Sequence, residues 1–148
     1  MEEFMKYQKG SAGRVFIAKF EDGENPLNEL TKFAKKEKLH CAIFWLIGGL
    51  KGGRFVVGPE NDTLPPIPIW REITGNHEII GIGTIVWHGD EPKVHLHGVY
   101  GREDFVRMGC MRENPEVFLV LEAIVMEITD VNVTRQLDEK SEMILLKV

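Results

Sequence analysis

The sequence predicts an α+β fold, a mostly antiparallel, curved sheet of about seven strands with one main helix. Three observations predict it. Segments of β-type composition recur along the chain with short connections between them, which favours antiparallel pairing. One segment alone carries both the caps and the spacing of an amphipathic helix. Glycines are scattered through the strand segments, as a bent sheet requires. At 148 residues the chain has about the length of one domain, and residues 1–148 are read as a single one.

Arg14–Phe20 (RVFIAKF) is β-rich and closes at the turn cluster Glu21-Asp22-Gly23-Glu24. Asn25 is a good N-cap and Pro26 a good first helical residue, because its missing N–H costs nothing there. Leu27, Leu30, Phe33 and Ala34 then form one apolar helix face, and Lys35, Lys36 and Lys38 match the dipole of the last turn. Cys41–Ile47 (CAIFWLI) is a continuous apolar run and reads as a strand buried on both faces. Gly48-Gly49 and Gly52-Gly53 suggest bulges; no Lys-Ser/Thr follows them, which argues against a phosphate loop. Arg54–Gly58 resumes a strand, and the proline-rich stretch 59–69 reads as an extended surface loop or edge.

Glu78–His88 and Val94–Tyr100 form a hairpin signal around Gly89-Asp90-Glu91-Pro92. Glu116–Thr129 fits helix or strand by pattern; its Val and Ile content favours a strand with a bend. Val131–Leu137 and Met143–Val148 read as two short closing strands.

The charge excludes a strongly basic nucleic-acid binder: Lys+Arg is 18 against Asp+Glu 23, a net charge of −5. Apolar content of 43% fits a globular chain. Two cysteines, Cys41 and Cys110, lack any CxxC spacing and suit a reducing, cytoplasmic setting. The longest apolar run, Cys41 to Leu50, is about half a membrane span, so no membrane partner is expected.

The chemistry concentrates in histidines. His88, His95 and His97 fall within ten residues, and His95-Leu96-His97 places two imidazoles on one strand face. That is the spacing a metal needs from one strand, and the donors suit Zn²⁺, with Ni, Cu or Fe also compatible. If His88 opposes Lys93, then Val86 opposes His95, Thr84 opposes His97, and His88 shares the face; a one-residue slip moves it to the other. Cys110, after Gly109, is a candidate third ligand, or else a small buried hydrophobe. Glu78 and Glu122 lie in apolar strand runs. They are candidates for orienting an imidazole or acting as a general base, unless they simply face solvent.

These residues together resemble a known family. Gly13-Arg14-Val15-Phe16, Glu21-Asp22-Gly23-Glu24, a Leu-rich helix and Gly48-Gly49-Leu50 stand in the order of the PPC (plants and prokaryotes conserved) domain. His77-Glu78-Ile79-Ile80, the paired-His strand Lys93-Val94-His95-Leu96-His97, and Glu122 in an apolar strand continue it, over about residues 11–130. The resemblance implies a compact α+β domain that assembles as a homotrimer. It also implies a metal, taken as zinc, on His95, His97 and the residue at position 110. There the family has Gly-His-Leu and this chain has Gly109-Cys110-Met111, which leaves a His₂Cys site with an open position.

Association with DNA is implied only by family analogy. Plant members add AT-hooks, and no Arg-Gly-Arg-Pro core stands here. Lys32, Lys35, Lys36, Lys38, Lys51, Arg54, Arg102, Arg107 and Arg112 could offer a cationic face if assembly gathered them. The reading is therefore a stand-alone homotrimeric binding module with a metal site. The alternative is a zinc-dependent enzyme on a small molecule, with Glu78 or Glu122 as base.

Overall fold

A computed structural model describes residues 5–148, with eight strands and one helix among them. The strands are β1 (Ser11–Glu21), β2 (Cys41–Pro59), β3 (Pro68–Glu72), β4 (His77–His88), β5 (Glu91–Arg102), β6 (Phe105–Thr129), β7 (Thr134–Asp138) and β8 (Met143–Lys147), with α1 (Pro26–Glu37) between β1 and β2. The six-stranded sheet runs β1-β6-β5-β4-β2-β3 and is wholly antiparallel, as the short connections predict.

The sheet closes on itself. β6 pairs with β5 through its first part, with β1 through its second, and with β2 along most of its length, from Cys110 to Glu127, so β2, β4, β5 and β6 form a ring. Ring closure gives each strand one interior face, and inside lie Phe44, Leu46, Ile85, Leu96, Tyr100 and Leu121. The helix adds Leu30 and Ala34 to the same cluster. Its cap is as read from sequence: Asn25 Oδ1 accepts from Leu27 N and Asn28 N, and Pro26 opens the first turn. Lys38 ends the helix in the left-handed region, with φ 52°.

Three expectations need correction. The run Cys41–Ile47 is buried on one face only: Ala42, Phe44 and Leu46 point inward, whereas Trp45 is 38% and Ile47 55% exposed. A ring has a single interior, so a continuous apolar run must leave alternate residues outside. The β4–β5 hairpin turns at Gly89-Asp90 alone, so His88 opposes Glu91, Thr84 opposes His95 and Ile82 opposes His97. That is a two-residue shift from the register assumed above; Gly89, with φ 60°, supplies the tight turn.

Of the two readings of the proline-rich stretch, its end takes the edge: Pro68–Glu72 pairs with β2 as an edge strand, where a proline is tolerated. The two closing strands do not join the main sheet; β7 and β8 form their own two-stranded sheet. Glu116–Thr129 is strand, as its composition favoured, but it is the later part of a strand that begins at Phe105. Its bend coincides with Leu119 at φ 62° and a register break opposite Gly48 and Gly49.

Candidate metal centre

His95 and His97 project from the outer face of β5, where alternation places Val94 and Leu96 inward. Cys110 opposes His97 across the β5–β6 ladder and Val56 across the β6–β2 pairing, so the thiol joins the imidazole face at the seam of the ring. Gly109 makes that seam tight. A Cβ there would run into the Val56 carbonyl oxygen and lie 2.9 Å from Phe55 Cδ2.

The three side chains converge. One ligand atom from each of His95, His97 and Cys110 lies within 4.8 Å of the others. The two Nε2 atoms are 3.1 Å apart and the rings stand edge to face at 86°. Two nitrogens on one tetrahedral zinc sit about 3.3 Å apart at ordinary Zn–N lengths, so the pair needs little adjustment to share an ion. The donor set, two imidazoles and a thiol, is the chemistry zinc prefers, with a fourth position left open.

Electrostatics keep His95 neutral, the state a ligand requires. Burial of the ring, then the charges of Arg135, His97 and Arg112, push its pKa down to about 4. Arg135 comes from β7, and its Nη2 donates to Thr84 Oγ1 at 3.1 Å and lies 3.4 Å from His95 Nδ1. A guanidinium can only donate, so His95 Nδ1 accepts, and the ring hydrogen sits on Nε2, facing His97.

His88 shares the face of His95 but not the cluster. Its Nδ1 bonds to the Arg135 carbonyl at 2.7 Å, so it ties β7 down over β4. Glu78 and Glu122 are exposed on the same outer face yet away from the histidines. Glu78 opposes Gly101, four residues along β5 from His97, or roughly 13 Å at the rise of a strand. Glu122 opposes Ile47, which opposes Ile80, which opposes Val99, so three strand spacings, roughly 14 Å, separate it from β5. Within one chain neither reaches the cluster. Cys41 stands apart and burial pushes its thiol pKa up.

Other neighbours of the cluster escape sequence reading. Trp70, Pro65 and Met143 join it in lining a cavity of about 780 Å³, together with Arg112 and Glu142. They come from the stretch before β3, from β3 itself, from β6 and from the β7–β8 hairpin, and no spacing pattern links such distant segments to an HxH pair. The composition of 59–69 was the available signal, since a rigid proline-rich wall beside a strand edge can border a site.

Comparisons with known proteins bear on the fold and the family. No curated protein matches the chain. Among solved structures, a plant- and prokaryote-conserved (PPC) protein of Pyrococcus horikoshii is 26% identical, with a TM-score of 0.84 over 97% of this chain and 99% of that one. A metal-containing protein of Archaeoglobus fulgidus is 18% identical, with a TM-score of 0.84 over 97% and 100% of the two chains. A protein of Ralstonia eutropha, whose name supposes DNA binding, is 20% identical, with a TM-score of 0.75 over 89% and 90%. The last two likenesses speak to the fold alone. The Plants and Prokaryotes Conserved (PCC) domain matches residues 7–129, and with the ring-closed sheet and its order of strands this chain belongs to that family.

Proposed function

We propose that the chain is a metal-binding module of the PCC-domain family that works as a homotrimer, with zinc held by His95, His97 and Cys110. The observation that carries this reading is the convergence of three ligand atoms within 4.8 Å from two strands. The likeness to a metal-containing protein of the same fold is consistent with it. Bound there, zinc would supply a Lewis-acidic centre with one exchangeable position.

The homotrimer is supported by the outer sheet face. Ile17, Ile124, Trp45 and Ile82 form one cross-strand row that ends at His97, and Ile47, Ile80 and Val99 form the next. Ile17 is 86% and Ile80 66% exposed. A contiguous apolar face of this kind marks an interface.

Association with DNA has weaker support. Of the nine cations available for a basic face, Lys32, Lys35, Lys51 and Arg54 are already paired with carboxylates. The enzyme alternative loses its candidate bases within one chain, because Glu78 and Glu122 lie too far from the cluster.

Metal analysis tests the reading. Purified protein dialysed against zinc should retain one ion per chain, and His97→Ala should retain none. A wild-type protein that emerges without zinc, or a variant that holds it equally well, ends the metal assignment. Sedimentation should give a species of three chains, and a mobility-shift titration at low salt decides the DNA association.

A further inference from the structure

Two cavities meet at the metal cluster. The larger, about 780 Å³, has His95, His97 and Cys110 on its lining with Trp70, Pro65 and Pro66. The smaller, about 390 Å³, shares His95, Cys110 and Arg112 with it and adds Lys93 and Arg135. Volumes of this order suit a small molecule with an apolar body.

Charge makes the region unusual in this chain. The chain carries five more carboxylates than basic groups, yet Lys93, Arg112 and Arg135 line these cavities against one carboxylate, Glu142. None of the three cations forms an ion pair with a described residue, whereas Arg14, Lys19, Lys32, Lys35, Lys51 and Arg54 all do. Arg135 Nε is buried without a hydrogen-bond partner, a costly state for a cationic donor. A divalent ion on two neutral imidazoles and one thiolate would add a further positive charge.

Another part of the larger cavity's lining, Trp70 with Pro65 and Pro66, is apolar and rigid. Prolines have no side-chain entropy to lose, and Trp70 is fixed from one side by Arg54, whose guanidinium carbon lies 4.4 Å from the ring centroid.

We propose that the larger cavity binds a small organic acid, its carboxylate held by Arg112 beside the cluster and its hydrophobic body resting on Trp70, Pro65 and Pro66. The proposal rests on the metal reading only for the open coordination position; the Arg112 contact stands without it. A carboxylate matches a guanidinium fork in plane and charge, and the apolar wall selects a body that inorganic anions lack.

Calorimetric titration of the full chain with phenylacetate tests this, with benzylamine and inorganic phosphate as comparisons, in zinc-dialysed and chelator-treated samples. Phenylacetate should bind, and benzylamine, the same ring with the opposite charge, should not. Arg112→Gln should weaken phenylacetate about tenfold or more, as loss of one charged hydrogen bond does, and Arg112→Lys should recover part of it. Thermal melts of both variants should match the wild type, because Arg112 is exposed.

Benzylamine or phosphate binding as tightly as phenylacetate, an unchanged affinity in Arg112→Gln, or no phenylacetate binding in either sample overturns the proposal. Zinc content measured on the same samples separates the two readings. Phenylacetate bound in an Arg112-dependent way by protein that takes up no zinc supports the acid pocket and removes the metal. Zinc retained with phenylacetate ignored does the reverse.

Discussion

Arg135 sets a conflict at the cluster that one hydrogen decides. As the side chains stand, His95 Nδ1 accepts from Arg135 Nη2 at 3.4 Å and Nε2 faces His97 Nε2 at 3.1 Å. Ligation through Nε2 moves the ring hydrogen to Nδ1, where it would oppose a group that can only donate. The guanidinium also repels a divalent ion. Arg135→Gln should therefore tighten zinc binding, since the amide oxygen can accept from Nδ1–H; competition with a chromophoric chelator measures it, and weaker binding contradicts the assignment. Removing a ligand acts oppositely: Cys110→Ala should cost more than the roughly 10–100-fold typical of losing an outer partner. The HxH pair was legible in sequence because strand alternation alone fixes its geometry. Cys110 was legible as a candidate third ligand after Gly109, with its place beside the pair set by strand pairing; Arg135 was not legible at all, because 40 residues separate it from His95 and a separate two-stranded sheet delivers it.

At the scale of elements, Arg14 joins three of them. From β1 it bonds Glu127 of β6, the shortest contact 2.6 Å, and both the side chain and the backbone carbonyl of Glu37 at the end of α1. The hydrogen bond from Arg14 holds the Glu127 carboxyl below its ordinary value. A depressed carboxylate stabilises the fold above its unfolded pKa and loses that contribution as pH falls through the folded one. Arg14→Gln should thus lower the melting temperature at neutral pH, and the gap should shrink at acid pH, as titration runs below the ordinary Glu value and through the depressed folded one. An equal gap at both pH values contradicts this. The helix around that contact was readable because its caps are local, Asn25 and Pro26 acting on their own turn. The β4–β5 register was not, because four turn-forming residues in a row allow more than one hairpin and only pairing selects Gly89-Asp90. The end of the proline-rich stretch was left between loop and edge for a related reason: its composition suits both, and pairing with β2 decides for a strand at Pro68–Glu72.

Over the whole molecule, ring closure explains both what was legible and what was misread. Strand content and antiparallel pairing follow from composition and short connections, so the fold class could be read directly. Closure is a long-range fact, made by β6 pairing with strands on both sides of the ring, and it alone decides that half of Cys41–Ile47 faces outward. That outward half builds the apolar face on which the proposed homotrimer would rest. Ile80→Glu, at the middle of the face and 66% exposed, should leave the fold intact and convert the trimer to monomers in sedimentation; a trimer that survives it places the interface elsewhere. The same face ends at His97, so the proposed assembly face and the candidate metal centre are neighbours on one surface. Cobalt(II) titration followed by absorption tests the ligand set most directly, because thiolate ligation gives a charge-transfer band and four-coordination gives visible ligand-field bands. Wild-type protein should show both with saturation at one ion per chain, and Cys110→Ser should lose the charge-transfer band. A wild-type spectrum without that band, or one unchanged in Cys110→Ser, would contradict a centre built from His95, His97 and Cys110.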